Sequence, residues 1–180
     1  MKEDTLTFVQ YRGENEKICG GFVPPKTEEW PALQDELCRM NEAVDDQEEY
    51  FEGLLAVINR EQTFLDAYAH IGHELLNNGE IKEAEDCYRI GLDIAQKLIP
   101  EDFSGRIPWS DLDNRPFLRL HHGYTLCHVR NQDIKKALQL MEEHLAWNPN
   151  DNLDVRTLLS EACQKAGMTH FKYNNLGTDQ

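Results

Sequence analysis

Apolar residues recur at intervals of three and four over most of the chain, in segments separated by short polar turns. This spacing places them on one face of a helix. A first helix is predicted to begin at Thr27, an N-cap residue followed by two acids, and to carry Leu33, Leu37 and Met40. Further helices are predicted over residues 46–59, 63–77, 81–98, 116–130, 134–147 and 153–165.

Three other segments lack helical spacing. Residues 1–26 hold a short β-compatible stretch followed by glycines and prolines, and we expect them to form an irregular arm. Residues 99–115 contain two prolines and a glycine, which predict a structured loop around Trp109. Residues 168–180 are expected to form a polar tail.

A short motif occurs twice in the helical part. Glu80 to Ala84 reads Glu-Ile-Lys-Glu-Ala, and Asp133 to Ala137 reads Asp-Ile-Lys-Lys-Ala. Each copy follows one predicted helix and opens the next. Because a single helix pair cannot bury its apolar faces alone, such a repeat predicts successive pairs stacked into an array. Arrays of this kind commonly bind a partner.

The spacing of small and aromatic residues around the first copy resembles the tetratricopeptide repeat (TPR). The residues that carry the resemblance are Tyr68, Ile71, Gly72, Leu75, Gly79, Ala84, Tyr88 and Gly91. Around the second copy they are Tyr124, Thr125, Ala137, Met141, His144 and Pro149. Ala84 and Ala137 are 53 residues apart, whereas the family repeats about every 34. Residues 99–115 are therefore interpreted as an insertion.

The resemblance implies an all-α fold, an antiparallel helix-pair (TPR-like) α-solenoid with a C-terminal capping helix and the irregular N-terminal arm. The helical domain would span residues 27–167, with repeats at 28–61, 64–98 and 115–149 and a cap at 152–166.

Proteins similar to this family bind an extended peptide or a partner helix in a concave groove lined by the first helix of each pair. The resemblance places these side chains in that groove: Asp66, His73, Asn77, Arg119, His122, Leu126, Arg130 and Arg156. The function implied is that of a protein interaction scaffold or adaptor. The Lys and Asn residues that chaperone-tail binders of the family use are not reproduced, so a heat-shock chaperone is not the expected partner.

Three arginines on one surface, Arg119, Arg130 and Arg156, suggest docking of an acidic or phosphorylated segment. The alternative is that they pair with nearby acids and only solvate the surface.

The net charge of −15 argues against general affinity for nucleic acid or for anionic membranes. Residues 114–165 carry seven Lys and Arg against six Asp and Glu, so the remainder carries −16. Five widely spaced cysteines fit reduced thiols in a cytosol. No signal peptide or membrane span is expected, and we predict a cytoplasmic protein.

No nucleotide-binding, hydrolase or zinc-peptidase motif occurs, so neither catalysis nor a cofactor or metal is expected. His70 and His73 share a helix face without the His-Glu-x-x-His arrangement. The alternative function is a regulatory or catalytic subunit with a site at the inserted loop, where Trp109 would lie near His121 and His122. A further alternative is homo-oligomerisation through an end of the array or through the N-terminal arm.

Overall fold

The computed structural model of this protein describes residues 4–43 and 46–165. The strands are β1 (Thr7–Arg12) and β2 (Ile18–Val23), and the helices are α1 (Glu29–Ala43), α2 (Gln47–Arg60), α3 (Leu65–Asn77), α4 (Ile81–Gln96), α5 (Arg115–Arg130), α6 (Ile134–Trp147) and α7 (Val155–Lys165). The protein is thus mostly helical with one small sheet. The predicted tail at residues 168–180 lies outside the described residues.

The helices begin and end within about two residues of the predicted bounds, because local signals mark these ends. Asp46 caps α2 by accepting hydrogen bonds from the backbone N–H groups of Glu48 and Glu49 at 2.9 and 3.3 Å. Gly79 has a positive φ of 82°, which lets the next residue, Glu80, donate its N–H to the carbonyl of Leu75 at 2.9 Å and close α3.

Each helix packs against the one before it, and this includes α4 and α5 although residues 97–114 separate them along the chain. Helix α3 also contacts α5 directly, so α3, α4 and α5 form a three-helix centre. Tyr88 of α4 lies in that centre between two glycines, Gly72 of α3 and Gly123 of α5. A β-carbon added at either glycine would meet the Tyr88 ring at 2.5 or 2.1 Å. The absence of side chains at these two positions sets the helix spacing.

The N-terminal segment is not irregular, and this prediction was wrong. Strands β1 and β2 form an antiparallel hairpin in which Phe8 is opposite Phe22 and Gln10 is opposite Gly20. Glycine by its propensity indicates a break in a strand, but a β-carbon at Gly20 would lie 2.1 Å from the ring of Phe8. Gly20 therefore leaves room for the Phe8 ring to pack across the neighbouring strand. The centre of that ring lies 5.1 Å from the centre of the Phe103 ring, which belongs to the inserted loop.

The inserted loop fastens the hairpin to the helices. Fully buried Asn114 accepts a hydrogen bond from the Phe22 N–H at 3.0 Å and donates to the carbonyls of Gly20 and Pro108 at 3.3 and 3.0 Å. Ile107 donates its N–H to the carbonyl of Trp147 at 2.9 Å, at the end of α6. The loop is thus built into the fold, and the hairpin shares the apolar core of the helices.

Candidate functional site

A cavity of about 480 Å³ lies between α1, α3 and α5. Its lining comprises Asn41 of α1, Ala69, His70, His73 and Glu74 of α3, Tyr88 of α4, Arg119, His122, Gly123 and Leu126 of α5, and Leu153. We call this cavity the groove. Four of the side chains placed on the ligand face by sequence, His73, Arg119, His122 and Leu126, lie together in it.

Arg119 is the groove's cationic side chain. Its Nη1 lies 2.9 Å from Oδ1 of Asp66, and its Cζ lies 5.8 Å from the centre of the Trp109 ring. Arg115 also stacks over the Trp109 ring, with its Cζ 5.1 Å from the ring centre. The predicted loop tryptophan therefore acts as a platform for two arginines. Arg119 remains 41% exposed, so an incoming anion can reach it.

The groove histidines differ in their surroundings. Burial lowers the pKa of His70, whose Nδ1 lies 2.7 Å from the hydroxyl of Tyr50. Burial likewise lowers the pKa of His122, and its Nδ1 has no hydrogen-bond partner among the described residues. Exposed His73 is paired through Nε2 with the amide nitrogen of Asn77 at 3.0 Å. At neutral pH His70 and His122 are therefore uncharged, and Arg119 supplies the positive charge.

The other two predicted arginines do not line the groove. Arg130 donates from Nη1 to the carbonyl of Leu76 at 2.7 Å, at the C-terminal end of α3. Arg156 donates from Nη2 to the carbonyl of Pro149 at 3.0 Å, and its Nη1 lies 3.5 Å from Asp151. The three arginines are therefore not brought together in one pocket, and two of them hold helix ends or turns.

A second cavity of about 360 Å³ shares Arg119 as a wall with the groove. Its lining is mainly apolar and includes Leu6, Trp30, Leu37, Phe64, Leu65 and Leu112. Leu112 is the most exposed large apolar side chain found in the described residues. Sequence reasoning missed this second cavity, because it is lined by the N-terminal segment, α1 and the inserted loop, which are far apart along the chain.

Three histidine side chains, two from α5 and one from α6, lie close to one another. We call His121, His122 and His144 the histidine cluster. The ring centres of His121 and His144 are 5.5 Å apart, and those of His122 and His144 are 6.3 Å apart. Burial lowers the pKa of His121, and it lowers that of His144 to about 2.

The alternative site at the loop would require a carboxylate that faces an accessible histidine. Glu143 does approach Nε2 of His121 at 3.7 Å, but His121 is only 1% exposed. Asp111 of the loop instead pairs with Tyr11 of the hairpin. Within residues 4–43 and 46–165, no group of three or more His, Cys, Asp or Glu is arranged to hold a metal ion.

Among the described residues, no helix combines the length and the apolar character needed to cross a membrane. Comparison with known proteins leaves the family unassigned: no protein-family model matches this chain, and no curated protein matches it.

Proposed function

We propose that the protein is a non-catalytic, TPR-like adaptor that binds an extended segment of a partner protein in the groove. The observation that carries the proposal is the cavity itself. It lies between α1, α3 and α5, the helices to which the resemblance assigns the ligand face. The succession of helix contacts along the chain also supports a TPR-like array, as does Gly72, a small residue packed directly against Tyr88.

The chemistry of the groove favours a segment that carries an acidic or phosphorylated side chain. Arg119 offers a planar guanidinium that is already oriented by Asp66 and Trp109, so little side-chain entropy is lost when it binds an anion. The uncharged ring of His122 has an Nδ1 to which no other group in residues 4–43 and 46–165 is hydrogen-bonded. Leu126 and Leu153 supply apolar contacts. A partner with an acidic residue beside an apolar one fits this lining.

The proposal is tested by selecting peptides from a phage-displayed random library on the immobilised protein and measuring their affinities by fluorescence polarisation. The variant combines Asp66→Asn with Arg119→Gln, which neutralises the ion pair and keeps its polar side chains. Since hydrogen bonds to charged groups contribute about 1.5–3 kcal/mol, we expect binding to weaken at least about 10-fold.

The matched control combines Asp86→Asn with Arg89→Gln on α4. That ion pair, with 3.0 Å between Nη2 and Oδ1, does not line the groove and makes the same change in charge. It should leave the affinities unchanged. Failure to select any peptide, or equal weakening in both double variants, would contradict binding in the groove.

A further inference from the structure

The two edges of the N-terminal sheet can be distinguished by their hydrogen bonds. Each residue of β1 pairs with the residue of β2 that brings the sum of the two residue numbers to 30. Gly13 and Lys17 continue this register as a hydrogen-bonded pair, because Gly13 donates its N–H to the carbonyl of Lys17 at 2.9 Å. Hydrogen-bonded and non-hydrogen-bonded pairs alternate in an antiparallel ladder. Residues 7, 9 and 11 of β1 therefore bond to β2, whereas Phe8, Gln10 and Arg12 direct their N–H and C=O groups away from it.

The outer edge of β2 is occupied. The N–H of Gly20 donates to the carbonyl of Arg106 at 2.7 Å, and the N–H of Arg106 donates to the carbonyl of Ile18 at 2.9 Å. Asn114 takes the N–H of Phe22 and the carbonyl of Gly20. These contacts also verify the alternation, because the outward residues of β2 are the even-numbered ones. The inserted loop thus closes one side of the hairpin.

The outer edge of β1 has no such cover among the described residues. No backbone hydrogen bond from another segment of residues 4–43 and 46–165 reaches Phe8, Gln10 or Arg12. Natural edge strands are usually protected by charge, proline or a bulge. This strand reads Thr-Phe-Val-Gln-Tyr-Arg, and its one charge, on Arg12, is paired with Glu16 at 2.9 Å. Val9 and Tyr11 are 41% and 37% exposed on one face.

We propose that β1 pairs with β1 of a second copy of this chain, antiparallel and about a two-fold axis at Gln10, to make a four-stranded sheet across the dimer. In that register Gln10 faces its own counterpart and Phe8 faces Arg12 of the other copy, and each pair exchanges both backbone hydrogen bonds. Between them Val9 faces Tyr11 of the other copy, so the two exposed apolar side chains cover each other. A two-fold interface requires this self-complementarity.

The charge distribution favours a second copy as the occupant. Residues 4–26 carry three basic and three acidic side chains, so the hairpin is neutral in a chain of net charge −15. The two copies therefore meet through a region without net repulsion. The acidic remainder lies on other segments, and repulsion between exposed charges is screened beyond about 8 Å at physiological ionic strength. Two copies that met through one of the acidic segments would instead repel each other.

The pairing is tested by sedimentation equilibrium of the full chain over a range of concentrations, with variants at Gln10. We expect the wild type to approach twice the monomer mass as concentration rises. Gln10→Lys and Gln10→Glu each place like charges directly opposite at the axis, and should raise the dissociation constant by up to about 5-fold. Mixing these two variants in equal amounts places Lys against Glu and should restore the dimer. Gln10→Ala should dimerise as the wild type does.

Gln10 is exposed and its backbone bonds are not used within the hairpin, so these variants keep the fold, which circular dichroism checks. A wild type that stays monomeric throughout overturns the proposal. So does a dimer that ignores the charge at Gln10, because it would use another surface. Failure of the mixture to recover the dimer overturns the two-fold register. The outcome is independent of peptide binding in the groove.

Discussion

Replacing Gly123 by alanine is expected to destabilise the helical centre, although alanine is the better helix former. The added β-carbon would lie 2.1 Å from Cζ, 2.3 Å from Cε1 and 2.6 Å from the hydroxyl of Tyr88. The Tyr88 ring has little room to move, because Tyr88 is only 3% exposed. The ring also packs against Gly72, where an added β-carbon would lie 2.5 Å from Cε1 of Tyr88.

The magnitude follows from two opposing effects. Ordinary contacts to a β-carbon begin near about 3.4 Å, so the ring or α5 must shift by more than about 1 Å, and overpacking of this kind costs about 1–3 kcal/mol. Alanine in place of glycine inside a helix recovers about 1 kcal/mol. With the cost at its upper end, the free energy of unfolding falls by about 2 kcal/mol. For a chain of this size the Tm falls by about 4–8 °C.

Urea unfolding followed by circular dichroism measures the effect, in the wild-type background and in a Tyr88→Leu background. Leucine lacks the Cζ, Cε1 and hydroxyl atoms that collide, so there Gly123→Ala should be neutral or stabilising by up to about 1 kcal/mol. The sign should therefore reverse between the two backgrounds. An equal loss in both would refute the argument that the Tyr88 ring sets the helix spacing.

Three further results are expected. The histidine cluster titrates near its ordinary pKa of about 6.5 only in the unfolded chain, which therefore binds more protons than the folded chain below that pH. The free energy of unfolding should then fall by about 1.4 kcal/mol for each unit by which the pH is lowered, for each fully shifted histidine. His144→Asn should reduce this slope in urea titrations from about pH 7.5 to about pH 4.5. Asn114→Ala strands the backbone groups it pairs and should cost about 3 kcal/mol in thermal unfolding, whereas exposed Asn131→Ala should cost little. Exposed Cys38 should react first with a thiol reagent, and Cys127, whose pKa burial raises to about 12, only after unfolding, as read by mass spectrometry.

The helices could be predicted because their signals are local. Apolar spacing, the cap at Asp46 and the turn at Gly79 act within a few residues, and tertiary contacts did not override them. The hairpin could not be predicted in the same way. Gly20 is explained by the rings of Phe8 and Phe103, which pack directly over it, and Phe103 comes from the inserted loop about 80 residues later.

The groove was predictable to the extent that helical phase decides which side chains share a face. His73, Arg119 and Leu126 lie where that phase places them. The resemblance assigns Arg130 and Arg156 to the same face, but long side chains reach sideways, and their acceptors are backbone carbonyls at helix ends and turns. Such acceptors carry no sequence signature, and the Leu76 carbonyl lies 54 residues from Arg130.

The hydrogen bond between Phe22 and Asn114 also bears on how the chain folds as it is made. The two residues are 92 positions apart, so at about 5–20 residues per second the ribosome needs about 5–18 s to supply the second after the first. During that interval the outer edges of both strands are open. A nascent chain is therefore more exposed to strand pairing with its neighbours than the finished protein, and slower translation between the hairpin and Asn114 lengthens that exposure.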